Sequence, residues 1–498
     1  KHSTVPAGVA LQAHVYLAQG GVANLKNLYA FLSDTLLMTG FGFAEPQSTP
    51  RWGLLERIGA RQDGPTVAVL YYRAQHLAGN TGYIEALCEA IENAGGNPLP
   101  VFCASLRTAD EDLIELLGSA DAMITTVLAA GGATPAAVGA GGTDDAWNVA
   151  PLAALDMPIL QGLCLTSSRA QWDNNDDGLS PLDVATQVAV PEFDGRLITV
   201  PFSFKEIDDE GLIAYVADPE RCARVAGLAV RHARLRSVPA SEKRVGVVFS
   251  AYPTKHSRIG NAVGLDTPAS AIALLRAMRE HGYHVGDASG LEAGDLNTIL
   301  ASGDLGTILA SGDLGTILAS GDGDALMHAL IERGGQDPEW LTEGQLAGNP
   351  IRVSARDYRA WFATLPSSIA DAVVEHWGPP PGDLYVDRSA DPDGEIVIAA
   401  MRSGNVVLMV QPPRGFGENP VAIYHDPDLP PSHHYLAAYR WLAGEFDGSF
   451  GADALVHLGK HGNLEWLPGK TLGMSAACGT DAALGDLPLI YPFLVNDP

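Results

Sequence analysis

At 498 residues the chain is too long for one ordinary core, and its five scattered cysteines, none in a C-x-x-C pair, exclude a disulfide scaffold or a zinc ribbon. Fifty-nine acidic residues against 31 basic ones leave a net charge of −28. That charge repels phosphate backbones and anionic lipid, so neither nucleic acid nor a membrane is expected as a partner. With no apolar run of about 18 residues and no secretory signal at Lys1, the expectation is a soluble, cytoplasmic chain. The start at Lys1 and the end at Asn496-Asp497-Pro498 read as those of a fragment of something longer.

Residues 1–60 read as mainly helical, with an apolar face over Val22–Met38 before the Gly/Pro-rich Gly40–Pro50. Thr66–Tyr72 is a buried-strand run, followed by a glycine-bearing loop, a helix over Tyr83–Ala94 and a strand over Leu99–Phe102. A strand–helix–strand unit of this kind marks a parallel α/β sheet. Strands at Ala120–Val127 and within Asp156–Leu165 continue it, and a charged helix, Asp218–Arg236, closes a first α/β domain at 61–240.

A second α/β region, 241–382, opens with the strand Arg244–Ser250 and the helix Pro268–Gly282, and holds a helical stretch over Tyr358–Trp377. The linker-like Gly378–Gly382 then leads into an α/β region at 383–498, truncated at its C-terminal end. Strands are expected there at Glu395–Ala400, Asn405–Gln411 and Ala454–Leu458, with a helix over Ser432–Glu445. The predicted fold class is therefore α/β and multidomain, with several parallel-sheet domains after an N-terminal helical segment. A nonapeptide recurs at 294–302, 303–311 and 312–320; its period matches no repeat fold, and it reads as duplication in a tolerant surface loop or helix pair.

The chemistry gathers in His457–Lys470, which packs two histidines, a carboxylate and two lysines among three glycines and a proline. Imidazole with carboxylate can hold a divalent metal or move protons, and glycines let backbone approach a ligand. Five of the 14 histidines (His425, His433, His434, His457, His461) lie between 425 and 461. His457, His461 and Glu465 are spaced by four, but the glycines between them favour a strand end and loop, where ligand sites of α/β sheets sit. A histidine here can instead cap a backbone carbonyl, a bland reading about even for His425; for His461 and Glu465 function is favoured.

Gly469-Lys470-Thr471 is not a phosphate-binding loop, since Leu464 stands where the earlier glycine belongs. Lys255 and His256 in one polar loop, and Arg414 in another, gather cations that can meet substrate carboxylates, though a solvated loop explains either alone about as well. Trp466 could wall a flat-ligand pocket or anchor core.

His457, Gly459, Lys460, His461, Gly462, Glu465, Trp466, Pro468, Gly469 and Lys470 together resemble the motif of the large subunits of ATP-dependent tetrapyrrole metal chelatases. That family joins cobaltochelatase of the CobN type to the large subunit of magnesium chelatase. Pro431-Ser432-His433-His434 is similar to an element of both branches. The runs Tyr424–Tyr435, Val263–Ser270 and Tyr491–Pro498 resemble the cobalt branch, whereas the magnesium branch typically has Thr at position 460 and Phe at position 466. Likeness is strong over most of 240–498 and looser before it.

The resemblance implies a subunit that holds hydrogenobyrinic acid a,c-diamide while Co2+, itself a substrate, enters the ring on the aerobic route to cobalamin. Two AAA+ type partner subunits (CobS and CobT type) would bind ATP and Mg2+. Glu465 and His461 are the implied catalytic groups. His461, Glu465 and His457 are the implied metal ligands, and His433, His434, Lys460, Asn463, Trp466, Lys470, Arg414, Lys255 and His256 the implied substrate contacts. The competing readings are a magnesium chelatase large subunit acting on protoporphyrin IX and a non-enzymatic tetrapyrrole-binding module.

Overall fold

The computed structural model describes residues 4–56, 63–107, 109–128, 149–251, 264–286, 314–334, 341–415, 423, 426–459 and 462–492. The chain forms two compact units, Lys1–Arg236 and Ser237–Pro498.

The first unit begins with the helices Ala7–Gln19 and Val22–Leu37. A seven-stranded sheet follows: β1 (Trp52–Leu54), β2 (Thr66–Tyr72), β3 (Asn97–Cys103), β4 (Ala122–Thr125), β5 (Ile159–Leu165), β6 (Leu197–Ile207) and β7 (Ile213–Ala217), in the order β1-β3-β2-β4-β5-β6-β7. The five inner strands are parallel, and β1 and β7 close the edges antiparallel. Parallel strands are covered on both faces, which is why β2 is an unbroken apolar run with Val67–Tyr71 buried throughout. Because β1 pairs with β3, the segment expected as a separate helical piece up to residue 60 contributes an edge strand to this sheet.

The second unit centres on a five-stranded sheet of β8 (Val245–Phe249), β12 (Ala400–Ser403), β13 (Val406–Val410), β14 (Ala454–Leu458) and β15 (Leu489–Ile490), in the order β12-β13-β8-β14-β15. A small antiparallel sheet joins β9 (Arg352–Ser354), β10 (Val386–Asp387) and β11 (Glu395–Val397). The central strand β8 comes from the expected 241–382 region and its neighbours from beyond 383, so a boundary at 382 divides one sheet. One face packs on the helix His433–Ala443, the other on Thr267–Glu280, Leu314–Ser320 and Gly323–Glu332. The helical stretch at 358–377 is two helices, Ala355–Phe362 and Ser367–Trp377, parted by a turn and Pro366.

The third nonapeptide copy departs from the surface expectation. Leu314, Ile317 and Leu318 of the helix Leu314–Ser320 are buried, and Arg276 donates to the Leu318 carbonyl at 3.0 and 2.7 Å. The first two copies lie outside the described residues. Among the described residues no helix is long and apolar enough to cross a membrane.

Candidate functional site

Strands β13, β8, β14 and β15 run parallel, so their carboxyl ends emerge along one edge. Val410, Phe249 and Leu458 sit side by side in the register, and Val456 pairs with Ile490. Just past that edge come Gln411, Ser250, Gly459 and Tyr491, the position where open α/β sheets take their ligands. Gly459 has a φ of +147°, and a Cβ added there would collide with the Ser250 hydroxyl, so no side chain fits.

His457, the fourth residue of β14, is fully buried, and burial pulls its imidazole down to about 3. It stays neutral at physiological pH. Its Nε2 lies 3.1 Å from the Tyr439 hydroxyl, which receives the Gln411 amide at 2.8 Å. The Nδ1 side of the ring faces the turn that follows β14. On that side sits Gly462: an added Cβ would stand 2.8 Å from His457 Nδ1, 3.1 Å from Gln411 Nε2 and 3.1 Å from Tyr491 Oη. Three polar side chains thus converge on one glycine. His457 thus lies packed beneath the turn, with Gly462, Gln411 and Tyr491 around it.

The turn above that floor carries Glu465. It lies exposed on the single 3-10 turn Leu464–Trp466, where its Oε1 accepts the Tyr491 hydroxyl at 3.2 Å. Trp466 is 39% exposed, which leaves ring surface available to a flat ligand. Asn463 is buried; its Oδ1 takes the Tyr435 hydroxyl at 2.6 Å and its Nδ2 donates to Pro412 at 3.4 Å. Asn463 therefore fastens the turn from below. The Lys470 backbone N–H meets Cys478 Sγ at 3.3 Å.

Other implied contacts fall elsewhere. Arg414 is buried and donates through Nη2 to Asp426 and Leu429 carbonyls at 2.7 and 3.0 Å, closing its own loop. His433 is engaged at both nitrogens, by the Tyr358 hydroxyl at 2.9 Å and the Gly378 carbonyl at 2.9 Å, so none is left for a substrate. His434 stacks on Tyr385 with centroids 4.1 Å apart, and burial lowers it to about 4. Lys255, His256, His425, Lys460 and His461 lie outside the described residues. Among the described residues no three of His, Cys, Asp and Glu are grouped as a metal site.

Sequence reasoning passed over Gln411, Tyr439 and Tyr491 as site residues. Tyr435 and Tyr439 did carry a signal, since residues four apart share a helix face, here the one turned to the site.

A family model described as CobN/Magnesium Chelatase matches residues 14–498. The aerobic cobaltochelatase subunit CobN of Pseudomonas aeruginosa is 38% identical over 99% of this chain and 37% of its own length. The corresponding magnesium-chelatase protein of Rhodobacter capsulatus is 26% identical over 87% of this chain and 33% of its own. The solved catalytic subunit of cobaltochelatase from Mycobacterium tuberculosis superposes with a TM-score of 0.84 at 70% identity, covering 100% of this chain and 38% of that one. The chain thus spans under two-fifths of the length of these relatives.

Proposed function

Because the chain belongs to the CobN/magnesium chelatase family, we propose that it is the tetrapyrrole-holding part of an ATP-dependent cobaltochelatase large subunit. Its substrates in this reading are Co2+ and hydrogenobyrinic acid a,c-diamide, in aerobic cobalamin biosynthesis. The observation that carries it is Glu465, an exposed carboxylate fixed by Tyr491 at the carboxyl edge of a parallel sheet. The higher identity to the cobalt relative than to the magnesium one, 38% against 26%, favours cobalt.

Metal insertion exchanges ring N–H protons for a hydrated cation. It therefore needs a base near the ring nitrogens and a ligand that displaces water. Glu465 supplies the carboxylate and His461 the imidazole, with His457 supporting the turn beneath them. Trp466 offers a flat apolar contact to the macrocycle, and Lys460 and Lys470 the cations for its carboxylates. In this reading ATP and Mg2+ belong to two AAA+ type partner subunits of the CobS and CobT type, and the complex works in the cytoplasm.

The test uses the full-length chain with its partners and a Glu465→Gln variant. Tetrapyrrole binding, read by tryptophan quenching, should persist while cobalt insertion falls by about 100-fold or more. Wild-type turnover in that variant sinks the assignment, and a preference for protoporphyrin IX over the corrin-type ligand moves it to the magnesium branch.

A further inference from the structure

We propose that Tyr491 is a positioning residue for metal insertion: its hydroxyl orients the Glu465 carboxylate while its ring is braced against His457. The inference rests on the chelatase reading of the same turn and assigns a task to a residue outside the motif.

The placement follows from the sheet. Strand β15 joins β14 in parallel with Val456 opposite Ile490, so the next residues along, His457 and Tyr491, stand side by side at the carboxyl edge. Their rings lie 5.5 Å apart at 51°. From that brace the hydroxyl reaches Glu465 Oε1 at 3.2 Å. It also lies against Gly462, where an added Cβ would come within 3.1 Å of it.

A glutamate on an exposed one-turn helix otherwise spreads over several rotamers, and holding it in one costs side-chain entropy at each encounter. Tethering Oε1 reduces that cost in advance. The carboxylate then meets metal or ring proton in a defined orientation, and orientation of this kind is worth one to two orders of magnitude in rate. Tyr491 is only half-buried, so its hydroxyl could be satisfied by water and folding does not demand the bond.

The experiment uses the full-length chain reconstituted with its two ATP-dependent partners. In Tyr491→Phe the ring stays against His457 and only the hydroxyl is lost. The expected result is a roughly tenfold fall in kcat for cobalt insertion with a raised KM for Co2+. The KM for tetrapyrrole and the Tm should not move. Calorimetric titration of the full-length chain with Co2+ alone should show severalfold weaker binding in the same variant. Since Tyr491 acts through Glu465, adding Tyr491→Phe to Glu465→Gln should cost nothing further. Wild-type kcat and Co2+ affinity in Tyr491→Phe, or additive losses in the double variant, overturn the proposal. A wild-type complex that inserts no cobalt overturns the chelatase reading beneath it, and is told apart because the unaltered chain is then itself inert.

Discussion

The Tyr439 hydroxyl lies 3.1 Å from His457 Nε2, joining the helix His433–Ala443 to strand β14 beneath the Glu465 turn. The same oxygen accepts the Gln411 amide, so one hydroxyl meets two buried groups, one in β14 and one just past β13. Tyr439→Phe keeps the ring and strands both partners, which should cost about 1–3 kcal/mol. Urea denaturation checks it; an unchanged midpoint means the hydroxyl carries no such role.

Gly462 is the point on which His457, Gln411 and Tyr491 converge. Gly462→Ala forces those three polar atoms apart, with an expected loss of about 1–3 kcal/mol. A Gly462→Ala chain melting at the wild-type temperature would show that the floor of the site gives way freely.

Stability should fall in mild acid because of His434. Burial holds its imidazole at about 4, below the ordinary 6.5, against a weaker opposing pull from the Val397 carbonyl. Between those values the unfolded chain binds a proton that the folded chain refuses, so this stability is complete above 6.5 and lost as pH falls towards 4. The slope is at most about 1.4 kcal/mol per pH unit. His434→Gln removes that titration, and denaturation at pH 7 and 4.5 should show a flatter dependence than wild type. Equal slopes would mean that His434 is free to protonate in the folded state.

Arg414→Met separates two roles for a buried cation. Its bonds to the Asp426 and Leu429 carbonyls predict lower stability, by about 1–3 kcal/mol, and faster amide exchange over 426–430. Tetrapyrrole affinity should stay near wild type. A variant of normal stability that loses the ligand would return Arg414 to the substrate.

The strands β2, β8, β13 and β14 were legible because parallel strands buried on both faces read as short, mostly apolar runs between turn signals. Strand β6 was not, since Leu197–Ile207 crosses Pro201 and ends in Lys205-Glu206, which breaks both the apolar run and the alternation. Glu465 stood out by chemistry, as a carboxylate among glycines. Tyr439 did not, because a buried tyrosine in an apolar helix looks like ordinary core until the partner of its hydroxyl is known. Arg414 and His433 drew notice as charge and imidazole, yet their partners are backbone carbonyls and a tyrosine distant in sequence, which no spacing reveals.

Strand β8 lies at the middle of its sheet, yet both neighbours are encoded far downstream, after roughly 150 residues of further chain. During synthesis at about 5–20 residues per second, Val245–Phe249 therefore leaves the ribosome on the order of ten seconds before a strand exists to pair with it. A nascent chain with a bare five-residue apolar strand is a client for chaperones and a seed for aggregation. All seven strands of the first unit's described sheet are in hand by Ala217, and that sheet can close during the wait. Slowing translation after Phe249 should thus lower the yield of native protein more than the same pause placed after Val410.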